Sequence, residues 1–150
     1  MRLTYRDAVP TDLNRLVELD AICFPPGVAY PRGLMRRLAF HPRSRTIVAN
    51  ADKILAFIVI RLSRDGVSEI ATLDVDPSAR RRGLGEKLMQ DGEAWARAEG
   101  ATLLALEVDQ DNETALALYR KCGFEVAERY RDDDGKPRFV MTKLLSDAAV

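Results

Sequence analysis

The stretch that decides the fold of this chain reads Leu73-Asp74-Val75-Asp76-Pro77-Ser78-Ala79-Arg80-Arg81-Arg82-Gly83-Leu84-Gly85. A predicted strand ends at Pro77, and a predicted helix runs from Gly83 to about Glu99. Two glycines at such a junction let the backbone approach a ligand closely, while the first helical N–H groups and the helix dipole favour an anion. We therefore predict a pyrophosphate site. The spacing fits neither GxxxxGK[ST] nor GxGxxG, which argues against nucleoside triphosphates and dinucleotides.

Strands and helices are predicted on both sides of this junction. Strands are expected at 2–7, 46–50, 54–62, 68–75 and 102–108, with two more around Asp134-Gly135. Helices are expected from a cap at Thr11 or Asp12 to the residue before Pro25, and at 32–40, 83–99 and 112–122. The order βααβββαβαββ predicts one α/β domain, residues 1–150, around a mixed and mostly antiparallel sheet. The strand, helix and buried strand from 68 to 108 form a βαβ unit with parallel pairing.

The composition is typical of a globular domain without a charge excess. Of 150 residues, 47% are hydrophobic and 31% are charged, and 23 basic residues balance 23 acidic ones. No global polycation is present to bind nucleic acid or a membrane surface. The longest apolar run, Ile54–Ile60, is far shorter than the roughly 18 residues of a membrane helix. Because no secretory signal is visible, we expect a cytoplasmic protein.

Cysteine and histidine give no sign of a metal or redox site. Cys23 and Cys122 are far apart and lie in no CxxC pattern. We therefore expect no metal and two buried thiols. The only histidine, His41, lies in a loop before Pro42, and we expect it to be structural or on the surface.

Two blocks of the chain resemble the GNAT superfamily of N-acetyltransferases. Arg80, Gly83 and Gly85 match its acetyl-CoA motif RxxGxG/A. The family block LEVxxxNxxAxxLYxxxGF is matched by Leu106-Glu107-Val108, Asn112, Ala115, Leu118-Tyr119 and Gly123-Phe124. The resemblance implies a GNAT-like fold with acetyl-CoA as co-substrate.

The resemblance also implies which residues bind acetyl-CoA. Backbone amides of Arg80, Arg81, Arg82, Gly83, Leu84 and Gly85 would hold the pyrophosphate. The backbone of Leu73, Asp74 and Val75 would meet the pantetheine arm and the acetyl carbonyl. Asn112 would contact CoA, and the hydroxyl of Tyr119 would lie near the thioester sulfur. Asn112 and Tyr119 are two helical turns apart, so both can face the cofactor.

Acetyl transfer to an amine requires a neutral amine, a stabilised oxyanion and assistance to the departing thiolate. Glu107 lies in an otherwise apolar strand, where desolvation would favour its neutral form and make it a competent base. The resemblance to bacterial ribosomal-protein-alanine N-acetyltransferases supports Glu107, because their base stands at the matching glutamate. Glu69 is the rival base, since lysine-acetylating members carry a strand glutamate there. Purely structural roles for both carboxylates stay open.

The acceptor site is less specific in sequence. Phe24, Pro25 and Tyr30 resemble the FPxxxxY loop that lines the peptide entrance of protein N-terminal acetyltransferases, although a packed turn would look the same. Tyr130 would lie across that entrance, on the final hairpin. The ribosomal-protein-alanine enzymes usually have LEVR and a double tyrosine, whereas here Asp109 follows Val108 and Tyr130 stands alone.

We therefore predict an acetyl-CoA-dependent N-acetyltransferase with direct amine attack and a protein N-terminal α-amine as the favoured acceptor. One alternative is acetylation of a small-molecule amine. An alternative of another class is a non-catalytic acyl-CoA-binding sensor. The acceptor's identity, the acyl-chain limit and the oligomeric state are left open by the sequence.

Overall fold

The computed structural model describes residues 2–145. Its strands are β1 (Thr4–Asp7), β2 (Ser44–Asn50), β3 (Ile54–Leu62), β4 (Val67–Val75), β5 (Leu103–Asp109), β6 (Glu125–Arg131) and β7 (Pro137–Leu144). Its α-helices are α1 (Leu13–Cys23), α2 (Arg32–Ala39), α3 (Leu84–Ala98) and α4 (Glu113–Lys121), and 3-10 turns at Pro10–Asp12 and Pro77–Ala79 precede α1 and α3. The predicted α/β fold and element order are confirmed, with boundaries shifted by a residue or two.

A single seven-stranded sheet in the order β1-β2-β3-β4-β5-β7-β6 forms the centre of the fold. Neighbouring strands are antiparallel except β4 and β5, which are parallel as predicted. This parallel pairing joins only Val67–Glu69 to Leu103–Ala105. Both strands continue beyond it, to Val75 and Asp109, without pairing with each other. The sheet therefore opens into a gap between the C-terminal halves of β4 and β5.

The helices cover the two faces of the sheet in pairs. On the face that we call the α3 face, α3 and α4 pack against a core that includes Ile58 and Ile60. On the opposite face, the α1 face, α1 and α2 pack around Phe57. Phe57 is fully buried, and burial of a side chain of this size contributes about 2–3 kcal/mol. A Cβ added to Gly92 of α3 would stand 2.2 Å from Ile60, so α3 lies directly against β3.

Two local expectations are wrong. Asp12 precedes α1, but its carboxylate accepts the Val9 N–H at 2.8 Å and pairs with Arg6, so it leaves the helix uncapped. Cys23 and Cys122 are half-buried rather than buried, because each lies at the margin of a core cluster. Within residues 2–145, no helix is long and apolar enough to cross a membrane.

Candidate functional site

The gap between β4 and β5 exposes backbone groups of β4 that a neighbouring strand would otherwise bind. Along Ala71–Val75, alternate N–H and C=O groups face the gap, because β5 pairs with β4 only as far as Glu69. The register with β3 also shifts between Val59 and Ile60, which leaves Ala71 as an extra residue in a β-bulge. The strand residues predicted to meet a thioester arm, Leu73, Asp74 and Val75, lie along this gap.

The junction between β4 and α3 turns sharply before the helix begins. Arg81 and Gly83 both have left-handed backbone conformations, with φ of 65° and 77°. The N–H of Lys87 donates to Gly83 at 3.0 Å and closes the first turn of α3. The N–H groups of Leu84–Glu86 consequently have no carbonyl partner within the helix. Free amides and the positive end of the α3 dipole thus coincide at the predicted anion site.

The two glycines of this junction have different tasks. Around Gly83 there is open space, since an added Cβ would meet nothing within 4 Å. Gly85 is buried, and a Cβ there would stand 3.2 Å from Leu118 of α4 and 3.6 Å from Val75 of β4. Gly83 therefore leaves an approach to the amides, and Gly85 allows α3 to start close to the gap. These features fit the diphosphate of coenzyme A.

The 3-10 turn before this junction is held by Asp76. One carboxylate oxygen of Asp76 accepts the N–H of Ser78 at 2.9 Å and its hydroxyl at 2.8 Å. The other oxygen pairs with Arg15 of α1 at 2.9 Å. The hydrogen bonds from Ser78, followed by the Arg15 interaction, lower the pKa of Asp76 to about 2. Asp76 thereby fixes the exit of β4 to α1.

Helix α4 brings Asn112 and Tyr119 to the α3 face. Asn112 is the N-cap residue, and its side-chain oxygen accepts the N–H of Ala115 at 3.2 Å, so its amide NH₂ stays available. Tyr119 is buried, with 8% of its surface exposed, and its hydroxyl makes no hydrogen bond to residues 2–145. Burial, reinforced by Asp74, raises the pKa of Tyr119 far above its usual value. This hydroxyl can donate a hydrogen bond but is a poor source of a full proton.

The two candidate bases lie on the α1 face, in different environments. Glu69 is half-buried, and desolvation together with the charge of Glu107 raises its pKa, although Arg61 opposes the shift. The expectation that Glu107 is buried is wrong, because its side chain lies at an exposed position of β5, on the face opposite buried Leu106. Its carboxylate instead accepts a hydrogen bond from the hydroxyl of Tyr130 on β6.

The loop between α1 and α2 lies next to these carboxylates. Tyr30 is half-buried, and its hydroxyl donates to the carbonyl of Ala71, the bulge residue, at 3.1 Å. Desolvation, with the charges of Glu69 and other carboxylates, raises the pKa of Tyr30. Phe24 is also half-buried, whereas Pro25 is exposed. The structure thus joins Tyr30, Glu69, Glu107 and Tyr130 around one opening of the gap.

Sequence analysis missed a pair of buried carboxylates beneath this loop. Asp20 and Asp74 are both 0% exposed. Asp20 accepts the N–H of Tyr30 at 2.7 Å, and Asp74 accepts the hydroxyl of Thr72 at 2.5 Å. The only available signal was Asp20, which follows Leu16 and Leu19 on the apolar side of a predicted helix. Within residues 2–145, no group of three or more His, Cys, Asp or Glu side chains is arranged to hold a metal ion.

Comparison with protein families gives a match over most of the chain. The sequence model described as "Acetyltransferase (GNAT) family" matches residues 13–124. The N-alpha-acetyltransferase RimI of Mycobacterium tuberculosis is 30% identical over 143 residues, which cover 91% of this chain and 89% of that protein. The crystal structure of the ribosomal-protein-S18-alanine N-acetyltransferase from Escherichia coli superposes with a TM-score of 0.85 at 23% identity, covering 99% and 97% of the two chains.

Other relatives are longer than this chain. An uncharacterized protein of Mycobacterium leprae is 33% identical over 145 residues, but the match covers only 38% of its length. A mycothiol acetyltransferase of Corynebacterium glutamicum is 35% identical over 81 residues, covering 54% of this chain and 28% of that protein. The chain therefore spans about a third of these two relatives.

Proposed function

Because this chain belongs to the acetyltransferase (GNAT) family, we propose that it transfers the acetyl group of acetyl-CoA to the α-amine of a protein N-terminus. The observation that carries the proposal is the unpaired first turn of α3 beside the gap between β4 and β5. The gap thus has amides suited to a diphosphate at one end and the carboxylates of Glu69 and Glu107 at the other. The protein is an acetyltransferase by family, and the donor and acceptor are our inference.

Donor binding is assigned to backbone more than to side chains. The amides of Arg80–Gly85 bind the diphosphate, and the exposed arginines of this segment add positive charge around it. The gap-facing backbone of Leu73–Val75 holds the pantetheine arm, and the amide NH₂ of Asn112 adds a donor. Acetyl-CoA supplies an activated thioester, so no metal or covalent enzyme intermediate is needed.

Glu69 is assigned as the base. A base that works near neutrality needs a pKa raised towards the working pH, and Glu69 has the required direction of shift. The proton lost by the attacking amine passes to Glu69, directly or through one water. Glu107, exposed and bound to Tyr130, is assigned to orient the incoming amine.

Departure of the thiolate is assigned to Tyr119. The amine nitrogen forms a bond to the acetyl carbon, the carbon–sulfur bond breaks, and the hydroxyl of Tyr119 donates a hydrogen bond to sulfur. Cys23 does not carry the acetyl group, because burial raises the pKa of its thiol to about 11 and its Sγ donates to the Val75 carbonyl at 3.4 Å.

An α-amine is favoured over lysine on energetic and comparative grounds. Neutralising an α-amine at pH 7 costs about 1 kcal/mol, whereas neutralising lysine costs about 4.6 kcal/mol. The match to an N-alpha-acetyltransferase also runs along 91% of the chain. A small-molecule amine is the second candidate, because the similarity to mycothiol acetyltransferases is 35% in the part that it covers.

An acceptor screen tests the proposal. Thiol release from acetyl-CoA is measured with short peptides bearing a free α-amine, the same peptides with a blocked α-amine and one free lysine, and a set of free amines. We expect turnover with the first group only. Turnover with free amines alone would favour the second candidate, and coenzyme A binding without turnover of any amine would favour a sensor.

A further inference from the structure

A basic cleft of about 390 Å³ lies between α2 and the adjoining ends of β2 and β3, outside the catalytic gap. Arg37, Arg43, Arg61 and Arg64 line it together with His41 and Ser44, and no acidic residue of the described part of the chain does. The chain as a whole has a formal net charge of +0. Four arginines in a cleft that no described acidic residue lines are a local excess of positive charge, although Glu69 is the cross-strand neighbour of Arg61.

The cleft holds hydrogen-bond donors that the protein itself does not use. Within residues 2–145, Arg37, Arg61 and Arg64 form no ion pair. The Ser44 hydroxyl is buried and has no partner there either. His41 accepts the Arg43 N–H through Nδ1 at 3.0 Å, so its neutral ring carries the proton on Nε2.

A row of cross-strand neighbours connects the cleft to the proposed base. Ser44 of β2 is opposite Arg61 of β3, Arg61 is opposite Glu69 of β4, and Glu69 is opposite Ala105 of β5. Neighbouring strands lie about 4.8 Å apart, so Ser44 is about 10 Å from Glu69. An extended polypeptide covers this distance in about three residues.

We propose that this cleft binds acidic side chains at the third and fourth positions of the acceptor polypeptide, whose α-amine lies at Glu69. This inference rests on the proposed function and narrows its substrate class. Arginine guanidinium groups match carboxylates in geometry and charge. The direction across β4 and β3 also carries the acceptor away from the side of the gap that binds coenzyme A.

Matched acceptor peptides test this assignment. Two peptides that differ only in Glu or Gln at positions 3 and 4 are compared with the wild type, with R37Q/R64Q and with R36Q. Arg36 is exposed on α2 but does not line the cleft, so R36Q is the matched control. We expect a KM for the acidic peptide about three- to tenfold lower than for its neutral partner, with kcat unchanged.

The R37Q/R64Q variant should lose this preference, and R36Q should keep it. Equal KM values for both peptides in the wild type would overturn the cleft assignment while leaving the proposed function intact. No turnover of either peptide would instead count against the proposed function. Inhibition by a short oligonucleotide that depends on Arg37 and Arg64, without any peptide preference, would reassign the cleft to nucleic acid.

A second inference concerns the buried carboxylates Asp20 and Asp74, which the proposed chemistry does not use. Asp20 Oδ1 and Asp74 Oδ2 are buried and have no donor partner within residues 2–145. Both side chains are fully buried, and burial, together with the neighbouring Asp20, raises the pKa of Asp74 well above its usual value. Two carboxylate oxygens can be neighbours in a buried site only if a proton lies between them.

The pair lies on a continuous path from the acceptor loop to the donor strand. The N–H of Tyr30 donates to Asp20, Asp20 is a neighbour of Asp74, and Asp74 accepts from the Thr72 hydroxyl. Cys23, Tyr30 and Tyr119 surround the pair from α1, the loop and α4, and all three have raised pKa values, so they are neutral at pH 7. Arg80 adds a positive charge next to Cys23.

We infer that the proton shared by Asp20 and Asp74 positions the acceptor loop against β4. Loss of that proton leaves two buried like charges, which repel each other and release Tyr30 from Asp20. The pair is therefore a positioning device rather than a catalytic group.

The pH dependence of the acceptor KM tests this role. The wild type should show a rise in acceptor KM, about threefold or more, at alkaline pH. The acceptor KM of Asp74→Asn should not change with pH, because the amide NH₂ of the variant replaces the shared proton permanently. Titration of the acceptor amine affects both enzymes equally, so it cancels in the ratio of their KM values. Asp91→Asn, on α3 and outside the pair, is the matched control and should behave as the wild type.

A merely structural pair would give a different result. Asp74→Asn would then change the unfolding midpoint without altering the pH profile of KM, and identical profiles for wild type and Asp74→Asn would overturn the inference. Asp74→Ala should raise acceptor KM at every pH, and failure of that variant to fold leaves the Asp74→Asn comparison decisive.

Discussion

The two sides of the gap between β4 and β5 are built in different ways. The proposed donor side depends on backbone groups from one short segment, since Arg80–Gly85 and the first turn of α3 form the proposed anion site. The acceptor side depends on side chains from distant parts of the chain, such as Tyr30, Glu69 and Tyr130. Backbone amides bind any diphosphate in the same way, whereas side chains distinguish one acceptor from another. We therefore expect the donor side to be common to the family and the acceptor side to determine the substrate.

The energetic demands of the two sides also differ. The donor side must keep amides free and exposed, which a helix start does without extra stabilisation. The acceptor side must hold Glu69 partly desolvated, and desolvation together with the charge of Glu107 raises the pKa of Glu69. Changes on the acceptor side should thus affect kcat and its pH dependence, and changes on the donor side should affect donor affinity.

The largest effect is expected from a substitution on the acceptor side. Glu69→Gln should lower kcat about 100- to 1,000-fold, because general-base catalysis contributes on this scale. In the wild type, kcat should rise with pH through the raised pKa of Glu69, and this dependence should disappear in the variant. Steady-state kinetics between pH 5 and pH 9 at saturating acetyl-CoA measure both.

Glu107→Gln is the matched comparison, because the same change is made two residues beyond the strand partner of Glu69. It should lower kcat only about tenfold and raise the acceptor KM, since Tyr130 can still donate to the amide oxygen. The reverse ranking of the two variants would assign the base to Glu107.

The same division explains what the sequence allowed us to predict. The junction between β4 and α3 was predictable because its conformation is local: a proline, a run of arginines and two glycines determine the turn within a dozen residues. The element order and the parallel pairing of the βαβ unit followed from the alternation of predicted strands and helices.

The acceptor side was harder to predict from the sequence because its contacts depend on strand register. A strand of apolar residues indicates burial but not which side chains reach solvent, and Glu107 lies on the open face of β5 next to the gap. The bulge at Ala71 and the pairing of Asp20 with Asp74 arise only when β4, α1 and the loop meet. No spacing rule along the chain predicts such contacts.

An intermediate effect is expected from a substitution on the donor side. Gly85→Val should weaken acetyl-CoA binding about tenfold or more, because its side chain would displace α3 from Leu118 and Val75. Isothermal titration calorimetry with coenzyme A measures the loss, and circular dichroism checks the fold. At saturating donor, the pH profile of kcat should keep its shape, since Glu69 is untouched.

Gly33→Ala provides a control for glycine replacement in a helix. Gly33 lies in α2, and an added Cβ would meet nothing within 4 Å. The variant should bind coenzyme A normally and unfold at a slightly higher temperature, as expected for about 0.5–1 kcal/mol of helix stabilisation. Weakened binding in Gly33→Ala as well would show that α2 contributes to the donor side.

The smallest expected effect on catalysis comes from a change at Asp76, which fixes the exit of β4 to α1. Asp76→Asn keeps an acceptor for Ser78 but removes the charge paired with Arg15, so it should destabilise the fold by about 1–3 kcal/mol at pH 7 and change kcat/KM less than threefold.

The folded-state pKa of Asp76 is about 2, below its ordinary value of about 3.9, so its charge stabilises the fold above about pH 4 and this contribution is lost as the pH falls towards 2. Urea unfolding at several pH values should therefore show a gap between wild type and Asp76→Asn that closes below pH 4. Asp7→Asn, which removes an exposed pair with Arg45, should cost less than about 1 kcal/mol at any pH. A stability difference between wild type and Asp76→Asn that does not change with pH would mean that the charge of Asp76 does not stabilise the exit of β4.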